Sequence, residues 1–186
     1  MKWIFEPGHS AAQFKARHMM MTWVRGGFKD IHGSIEFDPD KPNKSSFEAE
    51  IDARKIWTGE KDRDDHLKSS DFFDIKKHLK ITFKSTSVKQ VGVNEYDAVG
   101  KLTIKGITKR IQMHVYYLGQ RPTSYWVGDE DKGPIQRAGF LAHTTLNRHD
   151  FGISWDKGGD TVDDSIDITI DIEALDAEAL KKAEKK

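Results

Sequence analysis

The sequence predicts an all-β fold, a single antiparallel β-barrel of about eight strands with one short helix, and three observations predict it. Apolar and polar residues alternate with a period of two through most of the 186 residues, the mark of strands with one buried face. Turn-forming Gly, Pro and Asp residues punctuate those runs. The apolar faces also mix bulky residues with small ones, such as Ala12, Ala16, Gly26, Ala49 and Ala142, which leaves volume that a sandwich would fill with its own side chains.

The elements follow in order. Ala12, Phe14, Ala16 and His18 share one face, opposite Gln13, Lys15 and Arg17. Val24, Gly26 and Phe28 alternate with Arg25, Gly27 and Lys29, and Ile31, Gly33, Ile35 and Phe37 lead to the turn Asp38-Pro39-Asp40. Phe47, Ala49, Ile51 and Ala53 oppose Glu48, Glu50 and Asp52.

The alternation stops from Thr58 to Asp74, where charged residues dominate. One or two helical turns are expected there, capped by Thr58, with Asp64 and Lys68 paired four apart and the Phe72-Phe73 pair as the docking point. Strands resume at Ile81 and Phe83. Tyr96 to Ile104 and Ile107 to Tyr117 form a hairpin about Lys105-Gly106. Gln120 to Pro134 reads as a loop, Gln136 to Leu146 as a strand, and Ile166, Ile168, Ile170 and Ile172 as the last strand's inner face. Residues 1–175 make the domain. The charged segment 176–186 reads as a frayed tail, since isolated helices under roughly 12–15 residues are marginal in water.

Composition excludes several function classes. Lys+Arg and Asp+Glu number 30 each, so the formal net charge is zero, and no global field draws nucleic acid or an anionic membrane. There is no cysteine, which removes disulfides, thiolate nucleophiles and Cys-rich zinc sites. The N-terminus turns polar after Trp3-Ile4-Phe5, short of the roughly 7–15 apolar residues of a signal peptide and the ~20 of a span. The chain as written is therefore expected in the cytoplasm, or in the periplasm if a signal peptide has been removed, without stable membrane insertion.

Gly26-Gly27 within a strand marks a bend or a close approach. Composition alone leaves a ligand-holding barrel and an ordinary packed core near even. The residues then become more specific. In order come His9-Ser10 with Phe14 and Arg17-His18, then Val24-Arg25-Gly26-Gly27-Phe28 and Gly33-Ser34-Ile35-Glu36-Phe37-Asp38-Pro39. Thr58-Gly59 leads into Asp62-Arg63-Asp64-Asp65-His66-Leu67-Lys68-Ser69-Ser70-Asp71-Phe72-Phe73-Asp74. Ile81 to Ser87, Gly100 to Lys109, Leu146-Asn147-Arg148 and Asp150-Phe151-Gly152 follow. In these segments the chain resembles the YceI-like family of polyisoprenoid-binding, lipocalin-like proteins, from about Trp3 to Leu175. One departure is His78-Leu79-Lys80, where the family usually has a proline before the next strand.

The resemblance implies an apolar pore that carries or stores a long-chain polyisoprenoid or isoprenoid quinone, bound as ligand; from the residues themselves no cofactor and no metal are expected. At about 0.8 kcal/mol per buried CH₂, each five-carbon unit gains roughly 3–4 kcal/mol. Three or four buried units would exceed ordering costs of about 4–15 kcal/mol. The expected lining is Phe14, His18, Val24, Phe28, Ile51, Phe83, Leu102, Ile104, Met113, Val115, Phe140 and Ile168. Arg63, His66 and Arg148 are the head-group candidates, although surface ion pairing, and for Arg148 a local pair with Asp150, is the plainer role of each.

The enzyme reading is the weaker one. Gly152-Ile153-Ser154-Trp155-Asp156 lacks the second glycine of a nucleophile elbow, no phosphate-cradling Gly loop is present, and the eight histidines are scattered. The alternatives are a hydrolase or isomerase at the barrel mouth, with His18 as base, and a stress-related structural module with a filled core. An exposed edge strand or the apolar tail could pair two copies into a homodimer.

Overall fold

The computed structural model describes residues 1–185. Eleven strands form one antiparallel sheet: β1 Lys2–Phe5, β2 Ala11–His18, β3 Thr22–Lys29, β4 His32–Glu36, β5 Ser46–Asp52, β6 Ile56–Trp57, β7 Lys80–Gly92, β8 Glu95–Ile104, β9 Ile107–Val127, β10 Glu130–Asn147 and β11 Ser165–Asp176. Two helices accompany them, α1 Lys61–Lys68 and α2 Ala177–Ala183.

The ring closes through β11. Its first half pairs with β2, from Asp167↔Lys15 to Asp171↔Ala11. Its second half pairs with β1, from Ala174↔Phe5 to Asp176↔Trp3. β1 and β2 are thus two parts of one lane, interrupted by a 3-10 turn at Pro7–His9, and β3 and β4 likewise share a lane broken near Asp30, whose φ is 66°. With those pairs merged, the closed barrel has eight lanes, as the alternation predicts.

One end of the barrel is packed solid. Phe37 lies against Tyr96, Tyr117 and Phe140, with ring centroids 5.2, 4.9 and 5.4 Å away. Trp3, Ile31, Ile35 and Tyr96 are fully buried nearby. Each such ring pair adds about 0.5–1.5 kcal/mol beyond its area burial. This end is a plug.

The other end is built differently. The outer edge of β3 finds a partner only at Gly27 and Phe28, which pair with Trp57 and Ile56, so the sheet parts there and α1 with its following loop supplies the cover. Gly26 makes the close approach possible. A Cβ on it would stand 2.6 Å from Thr58 Cγ2, 2.7 Å from the Trp57 carbonyl oxygen and 2.8 Å from Phe14 Cζ.

Four local expectations are corrected. The cap of α1 is Glu60, whose carboxylate accepts from the Asp62 and Arg63 amides at 3.1 and 2.6 Å; Thr58 instead donates through its amide and hydroxyl to Asp64. Among the described residues Asp64 and Lys68 form no ion pair, and the helical pair is Lys61–Asp65 at 2.6 Å. The segment from Gln120 to Pro134 is no loop. β9 and β10 continue into it as a two-stranded arm that turns between Val127 and Glu130, because alternation there is masked by polar residues on both faces. The tail expected to fray forms α2. Asp176 caps it, accepting from the Glu178 and Ala179 amides, and Ala177 is buried; Lys186 lies outside the described residues.

Candidate functional site

A cavity of about 170 Å³ lies between the plug and the cover, and its wall presents only apolar surface. Strand period fixes who faces it. Ala12, Phe14 and Ala16 come from β2, Phe28 from β3, Leu102 and Ile104 from β8, and Ile166, Ile168 and Ile170 from β11. Ile51, Ile81, Met113 and, from β10, Thr144 and Leu146 add to the strand wall, which Gln13 also touches. A smaller cavity of about 60 Å³ adjoins it toward the plug, sharing Met113 and Ile170 and lined also by Phe83, Val115 and Phe140.

The mouth is closed by two segments. Leu67, Phe72 and Phe73 descend from α1 and its following loop, and Phe151, Ile153 and Val162 come from the stretch between β10 and β11. These segments are clasped together. The His66 ring stands edge-on to both Phe72 and Trp155, centroids 5.0 and 5.1 Å away. Lys105, at the β8–β9 turn, donates through Nζ to the carbonyls of Ser70 at 2.8 Å and Gly152 at 3.1 Å.

Of the lining residues expected from sequence, the structure places Phe14, Phe28, Ile51, Leu102, Ile104, Met113 and Ile168 in the larger cavity and Phe83, Val115 and Phe140 in the smaller. Two lie outside both walls. His18 and Val24 continue the inward faces of β2 and β3, but past the cavity, where His18 bridges to Val162 and β3 is a free edge.

The head-group candidates are already engaged. Arg63 donates to the Thr58 hydroxyl at 2.7 Å and its carbonyl at 3.1 Å, and His66 pairs with Asp71 at 2.8 Å. Neither lines a cavity. Arg148 does line the larger one, with the carbon part of its side chain. Its guanidinium, 4% exposed with the rest of the residue, bonds the carbonyls of Asp163, Ile153, Trp155 and Val162 and the Asp164 carboxylate. The expected partner Asp150 is not among them. Five donors meet five acceptors, so Arg148 builds the mouth and has no proton left for a ligand.

Sequence reasoning missed Leu67, Phe72 and Phe73, which it recognised only as anchors of the helix, and Ile166 and Ile170, although they share the alternation of Ile168. Phe151, Ile153 and Val162 lie outside any periodic run. A separate group, Glu6, His9 and Glu173, has ligand atoms close enough for a metal, but His9 pairs with Glu6 at 2.7 Å and Arg137 pairs with Glu173.

The YceI-like domain family matches residues 3–174. The chain belongs to the YceI family. Curated YceI relatives include a UPF0312 protein of Pseudomonas putida, 34% identical over 170 residues, covering 91% of this chain and 83% of the relative. Another, from Pectobacterium atrosepticum, is 33% identical over 166 residues, covering 89% and 82%. Among solved structures, Burkholderia cenocepacia BcnA superposes with a TM-score of 0.77 at 24% identity, over 91% of this chain and 98% of that one. The Campylobacter jejuni YCEI protein gives 0.72 at 27%, over 86% and 89%. A polyisoprenoid binding domain from Saccharophagus degradans, implicated in plant cell wall breakdown, gives 0.66 at 11%, over 93% and 97%. These three solved structures share the barrel fold of this chain.

Proposed function

We propose that this chain binds the tail of a long-chain polyisoprenoid or isoprenoid quinone inside the barrel, for carriage or storage, and that it acts as a binder and not as an enzyme. The observation that carries the reading is the carbon-lined cavity, stopped at one end by the Phe37 cluster and covered at the other by α1. The structural neighbour described as a polyisoprenoid binding domain supports the same ligand class.

Size refines the reading. Apolar cavities of about 150 Å³ take up benzene; the 170 Å³ and 60 Å³ spaces together accommodate roughly two five-carbon units. That is less than the three or four units expected from energetics, with the rings of Phe14 and Phe28 projecting from the wall and those of Phe72 and Phe73 closing the mouth. Longer tails require those rings to rotate or the cover to shift. Two buried units still supply about 6–8 kcal/mol of transfer free energy. With Arg63, His66 and Arg148 all engaged, selection rests on tail shape, and the head group stays in solvent.

Organic extraction of purified protein followed by mass spectrometry tests this. A prenyl lipid near one per chain is the expected result. Protein free of extractable lipid that also takes up no prenol on titration removes the reading in favour of a structural module.

A further inference from the structure

We propose that the β2–β3 hairpin tip docks the protein on an anionic lipid bilayer with the cavity mouth against the membrane. The docking stands on surface geometry alone; its use, transfer of a chain between bilayer and cavity, rests on the function proposed above.

The tip is Met19-Met20-Met21, and these residues are 53%, 60% and 82% exposed. Met19 and Met20 hold φ of 50° and 55°, a hairpin turn for which Asn-Gly is the usual choice. Flexible, polarisable apolar side chains thus occupy a position that disfavours them, and neither is buried in return. Methionine is a side chain of adaptable apolar contacts. Local strain retained at a surface apolar site points to use there.

The strands behind the tip carry charge of one sign. Lys15 and Arg25 are direct cross-strand partners, a like-charge pairing that weakens a sheet. Lys15 and Arg17 both lie over the Trp23 ring, at 4.6 and 4.5 Å. Among the described residues Lys15 has a carboxylate partner, Asp167 at 3.4 Å, while Arg17 and Arg25 have none within salt-bridge distance. The neutral charge of the whole chain therefore conceals a basic stripe along the β2–β3 hairpin, with the Trp23 ring under Lys15 and Arg17, bordered by Asp160, Asp163 and Asp164 of the neighbouring stretch. Apolar tip, Trp and Lys/Arg collar together match the interface of an anionic bilayer, where indoles sit at headgroup depth and each basic side chain adds to binding.

The patch adjoins the mouth. Ala16 lines the cavity three residues before Met19, roughly 10 Å along a strand. The Met19 amide donates to the Thr161 carbonyl at 3.1 Å, and Val162 both bridges His18 and lines the cavity. A bilayer that takes the tip meets the edge of the cover.

The test is flotation of the full chain with vesicles of phosphatidylcholine alone and with a third phosphatidylglycerol. The proposal expects binding to the anionic vesicles, lost in about 1 M salt, where the screening length is ~3 Å. Arg17→Gln/Arg25→Gln should weaken it roughly 25-fold, about fivefold per charge. Met19→Ser/Met20→Ser/Met21→Ser should weaken it at least tenfold with an unchanged melting temperature and unchanged uptake of farnesol from solution. Equal binding to both vesicles, no binding, or an unaffected Met variant overturns the proposal. So does a Met variant that only converts a dimer to a monomer. If the wild-type chain floats with anionic vesicles but takes up no farnesol, docking stands and the cavity reading fails.

Discussion

The Phe73 ring stands edge-on to Phe28, with centroids 5.6 Å apart and planes at 81°. That contact seats the cover on the barrel wall. Removing a fully buried Phe costs about 3–5 kcal/mol, and because Phe73 is only partly buried, Phe73→Ala should cost about 1–2 kcal/mol, or roughly 2–8 °C of melting temperature. Prenol dissociation should quicken, and longer tails should bind more tightly. Stopped-flow displacement checks this; an unchanged dissociation rate would show that the cover is not the gate.

Arg148→Met preserves the carbon wall of the cavity but strips five hydrogen bonds from the stretch between β10 and β11. Orphaned buried carbonyls cost about 1–3 kcal/mol each. The variant should lose about 3 kcal/mol or more, roughly 6–12 °C, read by calorimetry. A head-group role would instead weaken ligand binding with little change in melting.

Gly26→Ala places a methyl against the Trp57 carbonyl and two side chains. The carbonyl belongs to a paired strand and cannot retreat cheaply, so a loss of about 2 kcal/mol is expected, within the range for overpacking. Urea unfolding measures it, and a neutral effect would mean that β6 is loosely held.

Asp156 ties the mouth loop to Thr161, whose hydroxyl and then amide hold the carboxyl below its ordinary range. A depressed folded value stabilises above the unfolded pKa of about 3.9 and is lost as pH falls through the folded one. The loop should thus be secure at neutral pH and loosen only below about pH 4, seen as faster hydrogen exchange at the Thr161 amide. Asp156→Asn should flatten that acid dependence.

The strand lanes were legible because one face of each is buried, so Ile166 to Ile172 and Ala12 to Ala16 announce themselves by period. The arm at 120–134 was not, because its residues pair only with each other and none of them is buried, which leaves no apolar alternation to read. The strand wall of the cavity could be placed by extending those faces inward. The cover could not. Phe151, Ile153 and Val162 belong to a stretch without strand or helix period, which Arg148 gathers through four carbonyls five to fifteen residues further along the chain, an arrangement with no periodic signature. Polar candidates misled for a related reason, since Arg63, His66 and Arg148 look available in sequence but find partners in the fold.

The most direct measurement is a set of intermolecular nuclear Overhauser contacts from a bound prenol to methyl-labelled protein. Met113 stands in the walls of both cavities, so its methyl should show contacts to the tail, together with those of Ile104 and Ile168. Contacts confined to Met20 and Met21, with Met113 silent, would place the lipid on the surface and contradict an interior site.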